Sequence, residues 1–310
     1  MANGKSILFP SPIPNFMLSF TEDELEEVRG LFKKNSFSVL IAFSACLFLF
    51  SGSVFAGKGQ RIVSANGTLS EIIAGLGLEK QLVGVDVTST YPESLSKIPK
   101  IGHNRTIAAE GIISLNPDVI VYTDQSMLSP ALLKQLNSSG KKVVEFKHEY
   151  SKEGAIRLIR EVGAYFNAKP QAEKMVKTLE ADLSKIAKPA SPKKLLFIYA
   201  RGTGTLMVSG TGTSLDKMFA LTGNKNAVQG FADFKPLTAE SLLAANPDVL
   251  VLFSSGLESL DGTNGLLKVP GIANTNAGRN KKVVTMDGQF LTGFGPRLGK
   301  AAIELAQKIK

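Results

Sequence analysis

From residue 61 onward, short apolar runs alternate with longer stretches whose apolar positions recur at helical spacing. Residues 61–65, 82–87, 119–122 and 143–146 read as strands. Residues 69–76, 110–115 and 127–136 read as helices, stopped by Gly77, Asn116-Pro117 and Gly140. The pattern resumes past residue 193, with strands at 195–199, 249–253 and 282–286 and helices at 214–221 and 240–245. Gly295-Pro296-Arg297 opens a last helix, with proline suited to a first helical position. Strands alternating with helices predict an α/β fold with parallel-type sheets covered on both faces.

A repeat divides this pattern into two lobes. The run from Ala109-Glu110 through Asn116-Pro117-Asp118 to Val121 lines up with Ala239-Glu240 through Asn246-Pro247-Asp248 to Val251. Glutamate, Asn-Pro-Asp and the apolar positions all recur in register, so one fold is used twice. Between the lobes, Ala172, Met175, Val176, Leu179, Leu183 and Ile186 recur at helical spacing. Residues 170–188 therefore predict one long bridging helix, ended by Pro189-Ala190-Ser191-Pro192. The expected organisation is residues 1–56 as an extension and signal peptide, 57–169 as a first lobe, 170–192 as bridge and linker, and 193–310 as a second lobe. A ligand cleft between the lobes follows, and a single connecting helix limits how far they close.

The amino terminus carries a different pattern. Lys33 and Lys34 precede an apolar run over 37–50, then small residues ending in Val54-Phe55-Ala56. That is the grammar of an export signal cleaved after Ala56, which places the protein in the periplasm. Lipidation at Cys46, the sole cysteine, or a retained anchor are the alternatives. The chain after Ala56 has no cysteine, which excludes disulfides and a thiol nucleophile there. The net charge of +9 comes without a dominant basic block or a nucleic-acid motif, so scattered surface lysines explain it.

Catalytic chemistry is hard to assemble. His103 and His148 are the only histidines, and no Gly-x-Ser-x-Gly elbow is present. Gly202-Thr203-Gly204 and Gly210-Thr211-Gly212 lack the lysine of a phosphate loop and read as turns. The chain is expected not to be an enzyme. Ligands of two-lobed parallel folds bind beyond the strand C-termini, so the loops there hold the candidates. They carry Tyr91, His103 and Arg105 in the first lobe and Arg201 in the second. His148 follows the strand ending at Phe146 and reads as a surface hinge residue.

Several strings carry a resemblance. They are Gly84-Val85-Asp86-Val87-Thr88-Ser89-Thr90-Tyr91-Pro92, Ile98-Pro99-Lys100-Ile101-Gly102-His103-Asn104-Arg105, Ala109-Glu110-Gly111-Ile112, Thr238-Ala239-Glu240-Ser241-Leu242 and Gly293-Phe294-Gly295-Pro296-Arg297. Over residues 61–310 the chain resembles the haem-binding members of the single-helix-linked solute-binding proteins, a group that also holds cobalamin and ferric-siderophore binders. The resemblance implies a component of an ABC importer that captures haem in the inter-lobe cleft. Its partners are an inner-membrane permease dimer and the ATPase of that permease, with membrane contact through the permease only. A ferric-siderophore or cobalamin binder of the same fold is the alternative.

In the haem subgroup a tyrosine follows the Ile/Val-Gly pair and binds the iron. This chain has His103 at that position and keeps Arg105 two residues on. Neutral imidazole also suits haem iron, and a nearby positive charge disfavours imidazolium. The resemblance thus implies His103 as axial iron ligand, with Tyr91 as the fallback or else a turn residue fixed by Pro92. Arg105, Arg201, Lys235 and Arg297 are candidates for a propionate or the iron surroundings. Phe231, Phe234 and Phe294 are candidate cleft walls or core residues. Glu110 and Glu240 are implied to dock on arginines of the two permease subunits; glutamate in the first turn of a helix also favours the helix dipole.

Overall fold

The computed structural model describes residues 6–10, 17–21, 26, 59–103, 107–126, 128–204 and 206–310. The apolar run over 37–50, Cys46, the expected cleavage point at Ala56, and Arg105 lie outside the described residues. The chain forms two units, Met1–Gly59 and Gln60–Lys310. In the first, β1 (Ser6–Pro10) pairs antiparallel with β2 (Met17–Thr21).

The second unit contains both lobes. The first is built on β3 (Ile62–Ser64), β4 (Leu82–Val85), β5 (Val119–Thr123) and β6 (Lys142–Phe146), all parallel, in the order β4-β3-β5-β6. Helices α1 (Gly67–Gly75), α2 (Ala109–Ser114), α3 (Pro130–Ser138) and α4 (Lys152–Tyr165) accompany them. Caps decide where helices start. The Asn66 side chain accepts from the backbone of Thr68 and Leu69 at α1, and Ser129 and Ser151 do the same job for α3 and α4. The pattern reading did not include α4, although Ala155, Ile156, Leu158, Ile159 and Val162 form its buried stripe.

The bridge, α5 (Lys169–Leu183), has 15 residues and ends at Leu183, earlier than the expected 188. At ~1.5 Å per residue it spans roughly 22 Å. Its neighbours press close. A β-carbon at Gly163 of α4 would lie 2.4 Å from Ala172 Cβ, and one at Gly299 would lie 2.6 Å from Asp182 Cβ. Only glycine permits these approaches.

The second lobe holds β7 (Lys194–Ala200), β8 (Leu206–Ser209), β9 (Lys225–Asn226), β10 (Phe234–Pro236), β11 (Val249–Phe253) and β12 (Val283–Met286). The parallel path β9-β7-β11-β12 repeats the strand order of the first lobe. On the outer half of β7, β8 and then β10 add antiparallel. The second sheet is therefore mixed, where a parallel one was expected. Its helices are α6 (Ser214–Leu221), α7 (Ala239–Ala245), α8 (Ser254–Glu258), α9 (Gly262–Leu267), α10 (Asn276–Arg279), α11 (Gly288–Thr292) and α12 (Leu298–Lys308). Helix α12 starts after Arg297, so Pro296 precedes the helix instead of occupying its first position.

The repeated string folds into the same corner twice. Asn116 and Asn246 both take positive φ, 44° and 39°, and end α2 and α7. Asparagine tolerates this left-handed turn better than most residues. Two residues on, Asp118 Oδ2 accepts from Arg61 N at 2.7 Å and Asp248 Oδ2 from Lys194 N at 2.9 Å. Arg61 Nη2 donates to Leu115 O and Lys194 Nζ to Ala245 O, so a cation caps each helix end. Asn-Pro-Asp thus ties the start of β3 or β7 to the start of β5 or β11.

The core is not divided between the lobes. One buried cluster runs from Ile62, Leu69 and Val121 through Val176 and Leu179 of the bridge to Phe197, Leu291 and Leu305. Each sheet has its own cluster on the other face, around Val63, Ile112 and Ile120 in the first lobe and Leu196, Ile198 and Leu250 in the second. Among the described residues no helix is long and apolar enough to cross a membrane.

Candidate functional site

The C-terminal ends of the first-lobe strands turn toward the second lobe. A cavity of about 140 Å³ lies between them, lined by Asn66 after β3, Asp86 after β4, Gln125 after β5, His148 after β6 and Gln289 and Thr292 after β12. Beside it the lobes are stitched together. Thr68 Oγ1 donates to Gly293 O at 2.6 Å, and Gln289 Nε2 donates to Thr68 Oγ1 at 3.1 Å. Arg297 Nε and Nη2 reach Glu71 Oε1 and Oε2 at 2.9 and 2.8 Å. This ion pair is buried, with side-chain exposures of 18% and 8%. Burial pushes the Glu71 carboxyl above the usual carboxylate range, and Arg297 offsets only part of that.

His148 belongs to this seam. It is 3% exposed, which corrects its reading as a surface hinge residue. Its backbone N–H donates to Asp124 Oδ1 at 2.8 Å, and its Nε2 lies 3.4 Å from Phe294 O. Among the described residues its Nδ1 is buried without a hydrogen-bond partner. Burial lowers the imidazole pKa, so the ring is neutral at pH 7. Tyr150 packs on His148 and on Phe294, with ring centroids 5.3 and 5.5 Å apart. Burial pushes the Tyr150 phenol up and keeps it protonated.

His103 sits farther out. Residues 100–102 run alongside the end of β4, with Ile101 N donating to Val85 O at 2.9 Å and Val87 N to Gly102 O at 3.2 Å. Half-buried His103 follows directly, at the C-terminal edge of the sheet, and Val87, which pairs with Gly102, is exposed. Tyr91 is exposed, but the Arg297 guanidinium lies 3.8 Å from its ring centroid. That stacking occupies one face of the fallback ligand.

The second lobe presents rings at the equivalent edge. Phe253 ends β11 and lies 4.7 Å from Phe197 and 6.3 Å from Tyr199, centroid to centroid. Phe234 on β10 meets Phe197 edge-on and is 40% exposed. Exposed Arg201, in the turn after β7, lies over Tyr199 at 5.8 Å. Tyr199 and Phe253 were absent from the expected site because they read as strand positions. Their place at the last turns of β7 and β11 was the available signal.

Other expected site residues are placed differently. Phe294 is 2% exposed and is a core residue under the seam, so it does not wall the cleft. Arg297 is committed to Glu71 and stacked on Tyr91 and Phe290, so it is a latch between lobes and not a propionate partner. Half-buried Phe231 packs on the outer cluster, with the Lys235 ammonium 4.9 Å above it. Lys235 thus lies on the opposite side of β10 from Phe234. Glu110 and Glu240 are both exposed, in the first turns of α2 and α7.

Two lobes that share a core, bury a latch and direct their strand ends into the space between them define a receptor for a solute. The chain belongs to the periplasmic binding protein family, which it matches over residues 62–290. It is therefore the substrate-binding component of an ABC transporter and not an enzyme. An uncharacterised ABC transporter substrate-binding lipoprotein of Bacillus subtilis, YvrC, is 28% identical over 256 residues, covering 81% of this chain and 80% of the relative. The vitamin B12-binding protein of Vibrio vulnificus is 26% identical over 264 residues, covering 82% and 91%. Among solved structures, the periplasmic haem-binding protein RhuT from Roseiflexus, in apo form, is 37% identical with a TM-score of 0.78, covering 81% of this chain and 98% of that one. The periplasmic haem-binding protein BhuT, in complex with two haems, is 32% identical with a TM-score of 0.77, covering 81% and 97%.

Proposed function

We propose that this protein captures haem between its lobes and delivers it to an inner-membrane permease dimer and its ATPase, as part of iron acquisition. The observation that carries this is that the two lobes end their sheets in unlike chemistry. The first lobe has half-buried His103 directly after the segment that runs alongside the end of β4; the second has Tyr199 and Phe253 at the ends of β7 and β11, exposed Phe234 on β10, and Arg201 over Tyr199. Haem needs that combination of a nitrogen ligand for iron, a flat apolar wall and a cation for its propionates. The solved relatives named as haem-binding support the same reading.

His103 is the iron ligand and Arg105 its neighbour, with Arg201 and, less directly, Lys235 near the propionates. Tyr91 is the weaker alternative because Arg297 covers its ring. Titration of the protein with hemin gives a Soret band of a protein-ligated haem. His103→Ala shifts that band and weakens binding; an unchanged spectrum removes His103 from the iron. Tight cobalamin binding without a protein-ligated Soret band would favour the alternative that the vitamin B12-binding relatives suggest.

Glu110 and Glu240 are the permease contacts. The corner repeat sets both at the same point of their lobes, exposed, as a two-fold permease surface requires. Reversing both to arginine abolishes haem uptake while hemin binding in solution is retained. Normal uptake by the double variant refutes the docking role. Export to the periplasm, with cleavage near Ala56, places the protein where that permease can be met.

A further inference from the structure

A second cavity lies on the bridging-helix side of the molecule and shares no lining residue with the cavity at the strand ends. Its volume is about 470 Å³. That falls within the roughly 300–1,000 Å³ usual for small-molecule sites. Four segments build it: α1 and Tyr91-Pro92 of the first lobe, the bridge α5, and the segment that opens α12 in the second lobe. The Arg297–Glu71 latch lines it and separates it from the inter-lobe space.

The lining divides by chemistry. Ala74, Pro92, Met175 and Pro296 contribute carbon and sulfur surface. Lys174 and Lys300, both exposed, stand at the rim from α5 and α12. Arg297 is neutralised by Glu71, whereas neither lysine is in an ion pair among the described residues. Two uncompensated cations over an apolar floor select a molecule with an apolar body and an anionic head. The haem reading assigns only its weaker alternative ligand, Tyr91, to this face, and gives no role to Lys174, Met175 or Lys300.

We infer that this cavity is a second binding site, for a small apolar carboxylate held by Lys174 and Lys300 with its body against Met175. The test uses the full chain labelled with ¹³C at its methionine methyls and titrated with decanoate. Met175→Leu assigns the reporting signal, and the buried Met218 and Met286 serve as controls for folding and for general perturbation. The expected result is a saturable shift of the Met175 methyl while Met218 and Met286 stay in place. Lys174→Glu with Lys300→Glu weakens the apparent affinity at least fivefold, and decanol, which lacks the charge, binds at least fivefold more weakly than decanoate. A Met175 signal that does not move overturns the site. Equal affinity in the double variant, or for decanol, overturns the carboxylate assignment. Hemin titration of the same double variant retains its Soret band, so failure here is distinct from failure of the haem reading.

Discussion

The two lobes are the same frame finished in different ways. Both run strands in one order, and both close the same corner with Asn-Pro-Asp. They differ at the rim. The first-lobe strands end in small polar groups and His103, with Asp86 held by the hydroxyls of Thr88 and Ser89 at 2.5 and 2.6 Å. The second lobe adds β8 and β10 to the edge of β7 and so brings Phe234 out against Phe197, whose ring also meets Phe253. Shared backbone corners set the frame, and the rims are what differ. On the haem reading proposed above, a duplicated fold presents an iron ligand from one side and a ring wall from the other.

The largest break in this comparison is at the latch. Arg297→Ala leaves the Glu71 carboxylate buried without its cation, a loss that costs about 3–5 kcal/mol. Urea denaturation is expected to show a midpoint lowered to match, and a loss under about 1 kcal/mol would mean the pair is not holding the lobes.

The corners give the next effect. Asp248→Ala removes the acceptor for Lys194 N and for Asn276 Nδ2, and about 1–3 kcal/mol is expected. Asp118 is exposed and accepts from Arg61 N, so Asp118→Ala costs less. Equal losses measured by the same denaturation would show that the two corners are energetically as well as geometrically alike.

The smallest effect sharpens the latch by pH. The folded Glu71 carboxyl titrates above its ordinary value of 4.5 because burial outweighs the pull of Arg297. The protonated form is therefore the one that folding favours. Its contribution is full below the unfolded value and is lost as the pH rises through the raised folded value. Glu71→Gln, which cannot titrate, is expected to lack this part of the pH dependence, so the Tm of the native protein rises relative to that of the variant as the pH falls from 7 toward 4.5. A native Tm that falls relative to the variant on acidification would reverse the sign assigned to burial.

Local chemistry made much of this legible from residues alone. Asn-Pro-Asp announced both corners because proline, left-handed asparagine and a capping aspartate act within a few positions of one another. The interior of the bridge was visible from Ala172, Val176 and Leu179, but its end was not. Ile186 continues the apolar spacing after the helix has stopped at Leu183. Helix α4 was equally periodic and went unread. The residues misplaced from pattern are those whose partners are distant in the chain. Arg297 meets Glu71 across 226 positions, and His148 meets Phe294 across 146. Nothing near Arg297 distinguishes a latch from a ligand contact. The edge hairpin was also hidden, since Phe234-Lys235-Pro236 is too short and too polar to read as a strand.

The continuous core has a consequence for the partner. A cluster that passes unbroken through lobe, bridge and lobe, pinned by a buried ion pair, holds Glu110 and Glu240 at one spacing, like the jaws of a locked calliper. On the docking role proposed above, a permease that grips both jaws meets the same span on an empty protein as on a loaded one. In that reading the arrival of cargo is sensed at the rim, where His103 and Phe234 lie, and an empty carrier competes for the same dock.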